Sequence, residues 1–97
     1  MAPASSRDVH VRLWAAARAA AGQSEATVAV EAGPGDPSVA DVRRAVLASL
    51  PDRPELPRVL EVCSALVGDR PVGAGDAASV GVPEGVSVEF LPPFAGG

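Results

Sequence analysis

The segment from Ser38 to Pro51 constrains the fold more than any other part of this chain. Ser38 and Asp41 stand three residues apart ahead of Val39, Val42, Val46 and Leu50, and Pro51 follows. The spacing predicts a helix from Ser38 to about Leu50 with its apolar residues on one stripe and Arg43 and Arg44 facing outward. Ser38 and Asp41 form a start resembling a capping box, which also puts a carboxylate at the positive end of the helix dipole. Pro51 ends the run. A helix with one apolar stripe needs one apolar surface to cover. In a chain of 97 residues, which makes one domain around one modest core, that surface must come from the flanking segments.

Those segments read as strands. Val9, Val11 and Leu13 alternate with His10, Arg12 and Trp14, giving a half-buried first strand. The alanine-rich run from Ala15 to Ala21 favours a short helix stopped by Gly22. Glu25 to Glu31, with Val28 and Val30 on one face, makes a second strand, and Gly33 to Pro37 breaks the chain before the main helix. Pro51 to Pro57 is a proline-rich connector, after which Leu56, Val59 and Leu60 suit one helical turn. Val62 to Val67 predicts a third strand, and Asp69 a turn before Arg70 to Val72. A Gly- and Asp-rich loop runs to Gly81, and Pro83, Glu84 and Gly85 turn the chain into a last strand, Val86 to Leu91. The pattern is α+β: a small mixed sheet with one main helix packed across one face, the first and last strands parallel neighbours in its centre. We expect a disordered leader over 1–8, a domain over 9–91 and an extended tail over 92–97.

Composition removes several function classes. The net charge is -4, and all eight basic residues are Arg, in no cluster that would neutralise phosphates. With three aromatic residues available for stacking, nucleic acid is not an expected partner. One cysteine allows no intrachain disulfide. The first eight residues contain no apolar h-region and no later run approaches a membrane span, so we expect a cytoplasmic protein with no membrane partner. The absence of Lys also means that the domain offers no side-chain amine to an activated carboxyl group.

No side-chain constellation suggests an autonomous enzyme. His10 lies on the outward parity of its strand with no Cys, Ser or carboxylate motif beside it in sequence. Cys63 sits among apolar neighbours inside an expected strand, the setting of a structural thiol. The carboxylates lack metal-ligand spacing, and Gly73 to Gly75 matches neither a phosphate loop nor a dinucleotide fingerprint. We expect no cofactor bound by this chain.

The C-terminal run carries more information. Pro92, Pro93, Phe94, Ala95, Gly96 and Gly97 follow the last strand, a stiff diproline leading to residues of shrinking size. An α-carboxyl with a pKa of about 3.3 to 3.7 is ionised at neutral pH and can attack the α-phosphate of ATP to form an acyl-adenylate open to sulfur. Gly96 and Gly97, lacking Cβ atoms, suit a narrow channel. Extended at about 3.1 Å per residue, the tail projects on the order of 18 Å. Trp14 and Leu91 both follow the outward parity of their strands. On parallel neighbouring strands they fall close together where the tail leaves, as expected of a docking surface.

These segments resemble a known family. VRLWAAARAAAG at Val11 to Gly22, SVADVRRAV from Ser38 and VEFLPPFAGG at Val88 to Gly97 are similar to the MoaD family, the small subunits of molybdopterin synthase. That family belongs to the ubiquitin-like β-grasp sulfur carriers, with the thiamine carrier ThiS. The resemblance implies a β-grasp fold and a cycle in which an E1-like enzyme uses ATP to adenylate Gly97 and a sulfur donor enzyme converts it to a thiocarboxylate. The tail then enters a MoaE-like large subunit, where the sulfur passes to cyclic pyranopterin monophosphate in molybdenum cofactor biosynthesis. The chain is then a non-catalytic carrier subunit, the large subunit supplying the catalytic side chains. It further implies partner contacts by apolar residues of the sheet face, at Trp14, Leu91 and Pro71, the last a departure from the Leu of some relatives. Two alternatives stay open: a carrier for thiamine or cysteine synthesis, whose chemistry is the same, and a ubiquitin-like modifier that joins Gly97 to lysines of other proteins.

Overall fold

A computed structural model describes residues 5–93. Five strands and three helices follow in the order β1 (Ser5–Leu13), α1 (Ala15–Ala21), β2 (Glu25–Ala32), α2 (Val39–Ser49), α3 (Leu56–Glu61), β3 (Ser64–Val67), β4 (Arg70–Val72) and β5 (Val88–Leu91), with a 3-10 turn at Ala74–Asp76 before β5. The strands form one mixed sheet in the order β2-β1-β5-β3-β4. β1 and β5 are parallel neighbours, Val11 opposite Val88 and Leu13 opposite Phe90, while the other pairings are antiparallel. The α+β expectation and the parallel first and last strands therefore hold.

The core lies on one side of this sheet. Val9, Val11, Leu13, Val88 and Phe90 are buried together with Val39, Val42 and Val46 of α2 and Leu56 and Leu60 of α3. Helix α2 starts as its residues dictate. The Ser38 amide donates to Asp41 Oδ2 at 2.9 Å and the Asp41 amide to Ser38 Oγ at 3.1 Å, a complete capping box. The next two orphan donors are met by the loop before β5, from Val39 N–H to the Val80 carbonyl at 3.0 Å and from Ala40 N–H to that of Ala77 at 2.9 Å. The hydrogen bond from the Ser38 amide is the main reason the Asp41 carboxyl lies below its ordinary pKa. Helix α1 is bracketed by two left-handed residues, Ala15 at φ 50 and Gly22 at φ 76. Gly22 is the residue type that such a helix stop favours. Ala15 is not glycine, and there the turn from strand into helix is strained.

Three boundaries differ from expectation. Ser5 to Asp8 belong to β1, not to a leader, because they pair with Ala29 to Ala32 of β2; residues 1–4 lie outside the described residues. Arg7 also anchors this end, its Nη2 donating to Asp36 Oδ1 at 2.9 Å and to the Val82 carbonyl at 2.7 Å. The third strand starts at Ser64, since Val62 caps α3 and is 54% exposed. The last strand starts at Val88, and Val86 closes the preceding turn with its amide on the Pro83 carbonyl. Cys63 is buried between α3 and β3, just outside a strand, with Sγ donating to the Val59 carbonyl at 3.3 Å. Burial pushes its thiol up to about 11.

Candidate functional site

The face of the sheet opposite the helices is open, and its composition follows from strand parity. Across all five strands one row of outward residues reads Glu25, Arg12, Glu89, Leu66 and Pro71, each opposite the next in the pairing register. Leu91, opposite Ser64, lies in the adjacent row, and Trp14 takes the next parallel register position after the Leu13–Phe90 pair. The Trp14 amide donates to the Phe90 carbonyl at 3.2 Å, extending the β1–β5 ladder by one step. Trp14 and Leu91 thus meet the expectation that they share one end of the open face. Pro71 is exposed on the same face but two strands from β5, with half-buried Leu66 between.

Trp14 is held in place and still accessible. It is 41% exposed. Its indole N–H donates to Glu89 Oε1 at 2.8 Å, and the Arg12 guanidinium carbon lies 5.0 Å from the ring centroid. The polar end of the indole is satisfied and one face carries a cation, an arrangement that limits its rotamers without burying it. A shallow hollow of about 320 Å³ lies elsewhere, between β2 and α2. Beside Trp14, one of about 140 Å³ is lined by Arg12, Leu13, Trp14, Arg18 and Ser24.

Sequence reasoning missed three residues of this face. Leu66 carries the same signal as Leu91, a Leu on the outward parity of a strand, here one whose Ala65 and Val67 are buried. The roles of Glu89 and Arg12 in holding Trp14 depend on the β1–β5 pairing and had no local signal. His10 also gains neighbours absent from its own stretch of sequence: Nε2 lies 2.7 Å from Glu25 Oε1 and Nδ1 3.4 Å from Ser87 Oγ. This Ser–His–Glu row lies on the open sheet face beside exposed Thr27 and Asp8, where the geometry is that of a cross-strand tie.

β5 ends at Leu91, and Pro92 and Pro93 carry the chain off the sheet beside Trp14's register position. The tail residues Phe94, Ala95, Gly96 and Gly97 lie outside the described residues. Among the described residues no group of three or more His, Cys, Asp or Glu could hold a metal ion. No described helix is long and apolar enough to cross a membrane.

No family model matches the chain, and no curated protein matches it. Solved structures do. SAMP1 from Haloferax volcanii superposes with a TM-score of 0.69 at 20% identity, covering 94% of this chain and 100% of that one. The Haloferax volcanii HVO 2177 protein gives a TM-score of 0.72 at 25% identity, over 95% of this chain and 88% of that one. The small archaeal modifier protein 1 from Methanosarcina acetivorans gives 0.68 at 19% identity, over 96% and 99%. Coverage of this kind, together with the strand order and the helix lying across one face, establishes the architecture of this chain as the ubiquitin-like β-grasp fold.

Proposed function

We propose that this chain is a ubiquitin-like sulfur carrier, the small subunit of a molybdopterin synthase. Gly97 is adenylated by an E1-like enzyme at the expense of ATP, converted to a thiocarboxylate by a sulfur donor enzyme, and presented to a MoaE-like large subunit, which transfers the sulfur to cyclic pyranopterin monophosphate. The domain supplies position and no catalytic side chain, and it works in the cytoplasm. The observation that carries this reading is the exit of the chain from the central strand: β5 ends at Leu91 and leaves by Pro92 and Pro93 beside an accessible, hydrogen-bonded Trp14. A stiff exit at the edge of a docking face delivers the following residues into a bound partner with little ordering entropy lost. Trp14, Leu91 and, across Leu66, Pro71 form the face that the activating enzyme and the large subunit contact in turn. Phe94, Ala95 and Gly96 thread the partner's channel.

A second reading, a protein modifier, is favoured by two of the structural neighbours, which are small archaeal modifier proteins. The two readings share the adenylate and differ in what attacks it, a sulfur donor in one and a lysine amine in the other. Intact-mass spectrometry of the chain, after incubation with ATP, an E1-like enzyme and a sulfur donor, separates them. The carrier reading expects one oxygen of the C-terminal carboxylate replaced by sulfur, followed by loss of that sulfur when a large subunit and the pterin precursor are added. Lysine-linked conjugates with no thiocarboxylate would replace it with the modifier reading. A thiocarboxylate that a thiamine or cysteine biosynthetic enzyme discharges, and the large subunit does not, would keep the carrier and change its pathway.

A further inference from the structure

The two edges of the sheet are built differently. β4, at one edge, is three residues long and contains Pro71, a short and proline-blunted edge of the kind that discourages further pairing. β2, at the other, runs eight residues from Glu25 to Ala32 without proline, and among the described residues it pairs with β1 alone. Its free hydrogen-bonding groups can be assigned. The Leu13 amide donates to the Ser24 carbonyl at 2.8 Å. Bonded and non-bonded pairs alternate along an antiparallel ladder, so Val11–Ala26, Val9–Val28 and Arg7–Val30 are the bonded pairs. The N–H and C=O groups of Glu25, Thr27, Ala29 and Glu31 therefore point away from the sheet, and all four residues are exposed. Of these groups the Glu25 carbonyl accepts from Gln23 Nε2 at 2.7 Å, which leaves the edge from the Thr27 amide to Glu31 for a new strand.

A groove of about 320 Å³ continues this edge on the helix side, floored by Val30 and walled by Ala45 and Ala48 of α2. The small alanines leave room beneath an added strand. At its rim Arg44 is already paired with Asp41 at 3.1 Å. The open-face side of the same edge carries Glu25 and Glu31, the former held by His10 at 2.7 Å. A second copy is a poor occupant. The symmetric antiparallel register with the fullest overlap, centred on Val28, sets Glu25 of each copy opposite Glu31 of the other, and like charges directly opposed across strands are destabilising.

We propose that the free edge of β2 is a strand-addition site for an extended segment of another protein. That segment carries basic residues six positions apart, opposite Glu25 and Glu31, and apolar residues at the alternate positions that face the groove. Main-chain hydrogen bonds supply the attachment and the two glutamates select the sign of the partner. The site shares Glu25 and Glu31 with the rim of the open face but lies at the opposite side of β1 from β5 and the chain's exit at Leu91, and it stands whether or not the carrier reading does.

The test is an amide-shift titration of the full chain with the synthetic peptide Lys-Val-Thr-Val-Thr-Val-Lys and its charge-reversed form Glu-Val-Thr-Val-Thr-Val-Glu. Shifts confined to residues 25–31 and 44–48, with the basic peptide binding at least about fivefold more tightly, are expected. Ala29→Pro removes an outward amide that the β1 ladder does not use, and it should abolish the shifts while leaving the far-ultraviolet spectrum unchanged. Should that variant lose its fold, the Glu25→Lys/Glu31→Lys double variant decides instead: it should reverse the preference between the two peptides. Shifts on the open face around Arg12 and Leu66, equal binding of both peptides, no binding of either, or self-association through the same amides would each overturn the proposal.

Discussion

The two faces of this sheet are made by alternate residues of the same strands, and they do opposite things. On the covered face Val11, Leu13, Val88 and Phe90 are fully buried under α2 and α3. On the open face the intervening Arg12, Trp14, Glu89 and Leu91 stay exposed or half-buried and interact through one hydrogen bond and one cation–π contact. The first face forms the core, and the second is the one we propose meets partners. The difference teaches that a residue's neighbour in sequence can be irrelevant to its role, because a period of two sends adjacent side chains to different environments.

That division can be broken by substitution. Phe90→Ala should have the largest effect, a loss of about 3 to 5 kcal/mol from the cavity left in the core. Against a total stability of about 5 to 15 kcal/mol, this brings the domain close to unfolding at moderate temperature, which a urea titration would measure. Trp14→Ala, one strand away on the other face, should leave stability within about 1 kcal/mol of the parent while, on the proposed function, weakening binding to a MoaE-like large subunit by about 2 kcal/mol. A large fall in melting temperature with unchanged affinity would reverse the assignment of the two faces.

The anchoring of the covered face is open to a smaller test. Ser38→Ala removes one half of the capping box and should cost about 1 kcal/mol, or roughly 4 to 8 °C in melting temperature. The same box carries a pH signature. The Asp41 pKa is depressed in the folded state, chiefly by the Ser38 amide. Its contribution is therefore full above the unfolded-state value and is lost as pH falls through the folded one. Asp41→Asn should flatten the acid limb of the stability profile, and an unaltered limb would assign that dependence to other carboxylates.

The smallest expected effect is the most local. Glu89→Ala frees the Trp14 indole N–H, and for an exposed contact the stability change should be under about 1 kcal/mol. Because Trp14 is the single tryptophan, its fluorescence anisotropy reports the loosening directly. An unchanged anisotropy would mean that Arg12 alone orients the ring.

Local signals made part of this molecule legible. Ser38 with Asp41, the valine stripe of α2 and the Gly22 stop of α1 act over one or two helical turns, and the structure has them where the spacing puts them. The outward parity of Trp14 and Leu91 was readable for the same reason. The misplaced boundaries have two causes, a distant strand that pairs with a polar segment and a neighbouring turn that claims a strand-like residue. Ser6, Arg7 and Asp8 look polar and unstructured alone, but β2 lies alongside to pair with them. Val62 looks like a strand residue, but the turn of α3 claims its backbone.

The sequence by itself determined the element types, the residues of the covered face and the stiff diproline exit followed by two glycines, because hydrophobic periodicity and backbone restriction are properties of neighbouring residues. Only the tertiary structure decided which strands lie at the edges, that Glu89 holds Trp14, and that Glu25 and Ser87 flank His10. Those relations join residues 15 to 77 positions apart. They exist only once the chain has closed into one sheet, where pairing register, and not spacing along the chain, sets which side chains meet.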